Sequence, residues 1–327
     1  MTDIYFEMNY GKLYESVEDG IATKWRYIGK EGAVSHLFIK RDILIDKEES
    51  GLYDIITPYG YGGPVIEEVK TSKNELVAAF NKEFGKYCKE QNIVSEFVRF
   101  HPLFNNSEDF SAIYDSDYIR DTVGTNLKDC DDPVQFEFSK RCRKNIRQAV
   151  NKGISWRVTK SPDQIDGFIE LYYSTMDRNK ADDYYYFDIE YFSNCLNWFK
   201  DNLLYVEAIF EGKTIAGGLY FVCNKTIHIH LSGTLPEYLY LSPAYILRYA
   251  AALWGKENGC EMIHHGGGRS NDRDDSLYVF KKQFGIHTSF KFYVGKKIWN
   301  KERYEQLVAI TNTTTNSTFF PAYRERK

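Results

Sequence analysis

His264-His265-Gly266-Gly267-Gly268, with Ser276-Leu277-Tyr278-Val279-Phe280-Lys281-Lys282-Gln283-Phe284-Gly285 shortly after it, governs the reading of this sequence. Three consecutive glycines after an apolar run require backbone that bends sharply or passes close to another group. A lysine then stands between aromatic residues, where packing can fix its ammonium. By themselves the glycines also fit a tight turn before a strand whose lysine reaches for solvent. In either reading Ser276–Gly285 is extended, with Lys281 and Lys282 on opposite faces.

Upstream of the glycines, Ser242-Pro243 opens a helix that runs to about Asn258 and stops at Gly259, and Glu261–His265 reads as a strand. Before them, Leu204–Phe210, Thr214–Cys223 and Thr226–Leu231 are joined by short polar turns, the pattern of an antiparallel meander. Further back, Ile189 to Lys200 has helical spacing. Ser161-Pro162-Asp163-Gln164 has the form of a capping box opening a helix that carries Ile165, Phe168, Ile169, Tyr172 and Met176. Ser139 to Gly153 is a helix with Cys142, Ile146, Ala149 and Val150 as its buried stripe and Gly153 as its stop. Its remaining face is all of one sign: Lys140, Arg141, Arg143, Lys144, Arg147 and Lys152, with no acid between them. Exposed helices commonly mix signs for i,i+4 pairing, so such a face suits an anionic partner, Arg143 and Arg147 being one turn apart for a phosphate.

The first half carries a fainter version of the same order. Ala33–Ile39 is a strand, Asp54-Ile55-Ile56-Thr57-Pro58-Tyr59-Gly60-Tyr61-Gly62-Gly63-Pro64 is a strand running into a loop of aromatics and glycines, Ser72 caps a helix, and Ile93 to His101-Pro102 is a strand. Loop, Ser-initiated helix and strand ending in histidine thus occur twice, which predicts two related α/β units.

At 327 residues, 43% hydrophobic and 16% aromatic, the chain can fill two cores. A net charge of −4 argues against a general nucleic-acid binder, DNA included, and leaves any phosphate site to a local patch. No stretch approaches a membrane span and the N-terminus has no signal-like pattern, so a cytoplasmic protein with at most transient contact with a membrane surface is expected. The six cysteines are scattered, as reduced thiols are. His228-x-His230, His264 and His265 lack a carboxylate or thiolate to complete a ligand set, so no metal is expected.

The order and spacing of these motifs over residues 54–300 resemble the Fem-type aminoacyltransferases and their GNAT-superfamily acyltransferase relatives. The resemblance implies a mixed α/β (α+β) fold: two GNAT-like domains with mainly antiparallel central sheets flanked by helices. The first is expected over residues 1–138 together with a C-terminal helix in 301–327, the second over 139–300. It further implies amide formation on an amine of a cell-wall precursor or amino sugar, with no tightly bound cofactor and with aminoacyl-tRNA or acyl-CoA as co-substrate. The acceptor would be a small molecule or a lipid- or nucleotide-linked one. Carried over residue by residue, Phe280 and Lys281 line the reaction centre, Lys281 stabilising the oxyanion. Arg178, in Thr175-Met176-Asp177-Arg178, holds acceptor phosphate with Arg143 and Arg147, while Tyr59, Tyr61 and His230 line the acceptor groove. Ser242 and Gly266, Gly267 and Gly268 face the donor, and His101 is the candidate base. Two departures matter: His101-Pro102 stands where many members have Asp-Pro, and Leu235–Leu241 replaces the glycine-rich pyrophosphate loop of CoA-using enzymes. No heptad insertion is present. An acetyl-CoA-dependent N-acetyltransferase and a non-catalytic glycan- or nucleotide-sugar-binding module are the alternative readings.

Overall fold

Gly32–Ile39 is buried on both faces, so the strand containing it must be covered twice, and the elements around it follow from that need. The structure is a computed structural model and describes residues 3–272, 274–314 and 319–325. Helices α1 (Met8–Lys12) and α2 (Glu15–Glu18) precede strands β1 (Gly20–Gly29), β2 (Gly32–Ile45), β3 (Glu48–Ile56) and β4 (Gly63–Val69). Helix α3 (Lys73–Glu90), strand β5 (Ile93–Arg99), helix α4 (Asn106–Asp109) and strand β6 (Asp115–Asn126) follow. Next come α5 (Pro133–Glu137), α6 (Lys140–Asn151), β7 (Ser155–Lys160), α7 (Phe168–Arg178) and α8 (Ile189–Phe199). The meander β8 (Leu203–Phe210), β9 (Lys213–Cys223) and β10 (Thr226–Thr234) leads to α9 (Pro243–Glu257), β11 (Met262–Gly266) and α10 (Ser276–Lys282). Strand β12 (Ser289–Ile298) and helix α11 (Lys301–Ile310) close the described elements.

The chain forms two compact units, residues 3–119 with the described part of 291–327, and residues 120–290. In the first, the strand order is β1-β2-β3-β5-β12, with β4 also on β2. In the second it is β6-β11-β10-β9-β8-β7. Pairing is antiparallel except once in each unit, at β3–β5 and at β10–β11, and each parallel pair is crossed by a helix, α3 or α9. The repeated order read from the sequence is therefore a repeated topology.

Ser72 accepts from the Glu75 amide and starts α3, whose Leu76, Val77, Phe80, Phe84 and Cys88 face inward against Val34, Phe38, Ile55 and Val98. Ser139 does the same for α6 through the Cys142 amide. In α9 the small residues Ala250, Ala251, Ala252 and Gly255 permit close approach to the sheet; a Cβ at Gly255 would lie 2.8 Å from both Ile227 and Leu127. Helix α11 packs Tyr304, Leu307 and Val308 on Ile43 and Val94 of the first unit.

Several expectations change. The division between units falls inside β6 and β12, whereas the sequence reading set it near 138 and 300; Asp129–Pro133 is only the turn into α5. Ser161 has φ 54° and caps nothing, and α7 begins at Phe168 behind Gly167 at φ 75°, because the Ser161 amide is spent on the Leu203 carbonyl and Asp163 on Lys200. Ser242 has φ 58° and makes no side-chain cap. Val150 is exposed, leaving Cys142, Ile146 and Ala149 as the α6 stripe. Ser276–Lys282 is a helix: Asp275, outside the quoted run, caps it by accepting from the Tyr278 amide.

Candidate active site

Strands β10 and β11 pair only over Thr226–His228 with Met262–His264, although both run on, to Thr234 and Gly266. A register shift against β9 between Ile229 and Leu231 bends β10 at the same level. Two parallel strands that part in this way leave backbone amides and carbonyls available between them. Pro243 starts α9 above the opening, and Gly266, at φ 73°, ends β11 there.

The glycines that follow are fixed by close approach. A Cβ at Gly267 would meet Arg120 at 3.0 Å, and one at Gly268 would meet Asp275 at 2.5 Å. Their carbonyls serve cations: Lys281 Nζ donates to the Gly267 oxygen at 2.7 Å, and an Arg120 guanidinium nitrogen donates to the Gly268 oxygen. Asp275 accepts from the amides of Tyr278, Arg269 and Ser270. Burial would raise its pKa, but these amides together hold the carboxyl below the usual range. The turn from β11 into α10 is thus a carboxylate-centred knot that places Lys281 over the Gly267 carbonyl.

Beneath Lys281, Phe280 and Phe284 meet edge to face at 5.2 Å, and Phe284 is fully buried. Arg248, from the middle of α9 and 5% exposed, lies 4.8 Å and 5.4 Å from the centres of these two rings. Among the described residues no carboxylate pairs with it. Its Nε has no hydrogen-bond partner, and one terminal nitrogen makes a long 3.4 Å contact with the Ala244 carbonyl. Burial and then Arg248, with Arg120 adding to them, bring the Lys281 ammonium down to about 7 against the upward pull of Asp275. His265, on β11, completes the surroundings. The Thr125 hydroxyl gives its single proton to the Phe284 carbonyl at 2.6 Å, so its 2.8 Å contact with His265 Nε2 has the imidazole donating. Burial, then Arg248 and Lys281, hold this ring neutral, with Nδ1 left as an unpartnered lone pair.

Of the residues named from sequence, Lys281, Phe280, Gly266, Gly267 and Gly268 come together. Lys281 and Lys282 follow one another on a helix, not on alternate faces of a strand, and Lys282 lies in the electrostatic reach of Glu137 and Asp121. Arg178 ends α7 exposed and donates to the Thr234 carbonyl at 3.0 Å, while Thr175 bonds the same residue. It lines an open depression of about 660 Å³ with Glu170, Tyr173, Asp177 and Pro236. His230 receives or gives a hydrogen bond at 2.6 Å with Tyr191, and burial drives its pKa down to about 3. Arg143 donates to the Gln135 and Phe138 carbonyls and so ties α6 to α5, whereas Arg147 is exposed. Ser242 stands at the α9 start without capping it. In the first unit, Tyr59 offers its carbonyl to the Tyr10 hydroxyl, and Tyr61 packs on Tyr5 and Phe292. His101 is 1% exposed, with Nδ1 accepting from the Leu103 amide and aromatic rings of Tyr5 and Phe104 edge-on. The Asp3 carboxylate lies 3.9 Å from its Nε2.

Sequence reasoning missed Arg248 and Asp275. The signal for Arg248 was present: it shares the helical stripe Leu247, Ala251, Ala252 and Gly255, where every other residue is apolar or small.

Residues 137–281 match the model of the acetyltransferase (GNAT) domain. Over these residues the fold is that of a GNAT domain. The structure of FemX aligns over 93% of this chain and 94% of its own with a TM-score of 0.70 at 14% identity. The C-terminal domain of a putative lysylphosphatidylglycerol synthetase from Agrobacterium fabrum aligns over 92% and 90%, with a TM-score of 0.57 at 11% identity. In sequence, the chain is similar to the UDP-N-acetylmuramoylpentapeptide-lysine N(6)-alanyltransferase of Weissella viridescens, 25% identical over 174 residues, which are 52% of this chain and 50% of that enzyme. The match spans about half the length of that relative. The Fem-type resemblance read from the sequence is borne out by these similarities, and so is the GNAT-like fold. Among the described residues, no helix is long and apolar enough to cross a membrane.

Proposed function

We propose that this chain is an acyltransferase that forms an amide on an amino group of a cell-wall precursor, with aminoacyl-tRNA as donor. The observation that carries the reading is Lys281: an amine held on the Gly267 carbonyl, at the end of the parted strands of a GNAT-type domain. The similar Weissella enzyme is named for alanyl transfer to a lysine amine, which supplies the reaction class.

Attack of an amine on an ester carbonyl puts negative charge on that oxygen, and a cation in a water-poor setting lowers the barrier to it. Lys281 supplies that cation, Phe280 and Phe284 excluding water beneath it. The acceptor's phosphates are assigned to Arg178 in its depression, with Arg147 and Lys144 of the exposed α6 face as a second anionic contact. The donor assignment rests on the connection from β10 to α9. Residues Pro236–Leu241 form a 3-10 turn with Tyr240 exposed, and no glycine-rich loop is there to cradle a pyrophosphate. An acetyl-CoA-dependent N-acetyltransferase is the second reading, favoured by the match to an acetyltransferase family model.

The test is to incubate the full chain with UDP-N-acetylmuramoylpentapeptide and either alanyl-tRNA or acetyl-CoA, and to weigh the product. An added alanyl group supports the proposal. An added acetyl group replaces it with the second reading. Binding of the precursor without turnover by either donor makes the chain a non-catalytic module.

A further inference from the structure

Two cations, Arg120 and Lys281, donate to the carbonyls of the Gly267–Gly268 turn, a third, Arg248, lies over the Phe280 and Phe284 rings that flank Lys281, and among the described residues Asp275 is the carboxylate that Lys281 feels against them. Asp275 is moreover committed to three backbone amides. An arginine buried in an apolar helix face without an acid costs stability, since the guanidinium keeps its charge at any ordinary pH. Arg248 is more than nine-tenths buried, has an unpartnered Nε–H, and rests on the two phenylalanine rings on either side of Lys281 in sequence. The hydrogen-bonding of Thr125 fixes His265 as the neutral Nε2–H form, so the imidazole adds no counter-charge. Among the described residues, an ammonium at Lys281 is favoured by the Gly267 carbonyl and by the pull of Asp275.

We infer that Arg248 is a positioning residue that keeps the Lys281 amine free of its proton until the acceptor arrives, so that Lys281 is the base of the transfer as well as its later cation. The inference rests on the acyl-transfer reading given above. In the step, the acceptor ammonium passes one proton to Lys281 Nζ, and its freed electron pair attacks the acyl carbonyl to form the C–N bond. The newly charged Lys281 then faces the oxyanion. As the tetrahedral centre collapses, the C–O bond of the ester breaks, and the second proton of the nitrogen goes to the leaving oxygen. Lys281 afterwards releases its proton to solvent. The two roles of one lysine follow in order, and the step does not call on His101.

The charged and titratable groups within electrostatic reach of Lys281 are Arg248 from α9, Arg120 from β6, His265 from β11 and Asp275 at the start of α10. Removing Arg248 removes a like charge without touching the others. The test is a heteronuclear NMR titration of the lysine side-chain amines in the full chain, with the Lys281 signal identified by its absence in Lys281→Met. The wild type should titrate near neutral pH, Arg248→Met should move the midpoint up by about one pH unit or more, and Arg248→Lys should stay near the wild type. The acid limb of kcat/KM should move with it. A Lys281 midpoint in the ordinary lysine range in the wild type, or no movement in a folded Arg248→Met, overturns the inference. The titration needs neither donor nor acceptor, so it fails only with the tuning itself, whereas failure of the assigned reaction appears in the product assay.

Discussion

Two buried charged sites, one in each unit, are treated in opposite ways. In the first, Glu96 is 1% exposed, yet its oxygens accept from His36 at 2.6 Å, Tyr114 at 2.9 Å and Trp299 at 2.9 Å. Asp54, equally buried, is met by Arg41, Arg324 and Tyr323. In the second, Arg248 is also buried, but it has an unpartnered nitrogen, one long contact with the Ala244 carbonyl, and aromatic faces around it. A buried charge with its full set of partners holds a fold together, and removing one partner is strongly destabilising. A buried charge left without a counter-ion opposes folding, and its retention points to a role outside stability. The contrast locates structure in the first network and chemistry in the second.

That contrast can be broken by substitution, and the largest effect should come from the first unit. Glu96→Ala leaves two buried donors and the half-buried Trp299 indole N–H without an acceptor and should cost about 3–5 kcal/mol in denaturant unfolding. Transfer activity per folded molecule should change little. Lys281→Met should do the reverse, lowering kcat on the order of 10²–10³, roughly 3–4 kcal/mol of barrier, in a chain that still folds.

A smaller effect sharpens the same point through pH. The Lys281 ammonium falls from 10.5 to about 7 on folding, so across that window the unfolded chain binds more protons than the folded one. Stability should therefore fall as pH drops from about 10 to 7, by on the order of a few kcal/mol, and level off below. Lys281→Met should remove that slope and be the more stable protein at neutral pH, measured as unfolding midpoints across the range. A slope identical to that of the wild type would contradict the lowered ammonium of Lys281. The smallest effect concerns the acceptor: Arg178→Ala should raise its KM about tenfold, or about 1.4 kcal/mol, with kcat nearly unchanged. Unchanged kinetics would leave Arg178 only its bond to Thr234.

Much of this architecture was legible in the residues. Ser72 and Ser139 announced their helices because an N-cap is a local interaction, and the meander from Leu203 to Thr234 showed itself in short polar turns. The failures were also local signals, overruled by distant partners. Ser161 was drawn to Leu203 and Asp163 to Lys200, so the apparent capping box opened nothing. Ser276–Lys282 looked extended because its cap, Asp275, is a residue whose other bonds to Arg269 and Ser270 are set by a turn with no strong pattern. Lys281 and the three glycines were visible as a motif. What surrounds them was not, because Arg120, Thr125 and Arg248 reach the site only through pairing of β6 with β11 and packing of α9.

The most direct measurement is single-turnover acyl transfer by Lys281→Met beside Lys282→Met, in the donor and acceptor pair that the product assay selects. The two lysines are neighbours on one short helix, and either change keeps an unbranched side chain and removes one amine, so effects on the helix itself are matched. The account predicts a loss on the order of 10²–10³ for Lys281→Met and a rate within about twofold of the wild type for Lys282→Met. Equal rates in the two variants, whether both retained or both lost, would contradict it.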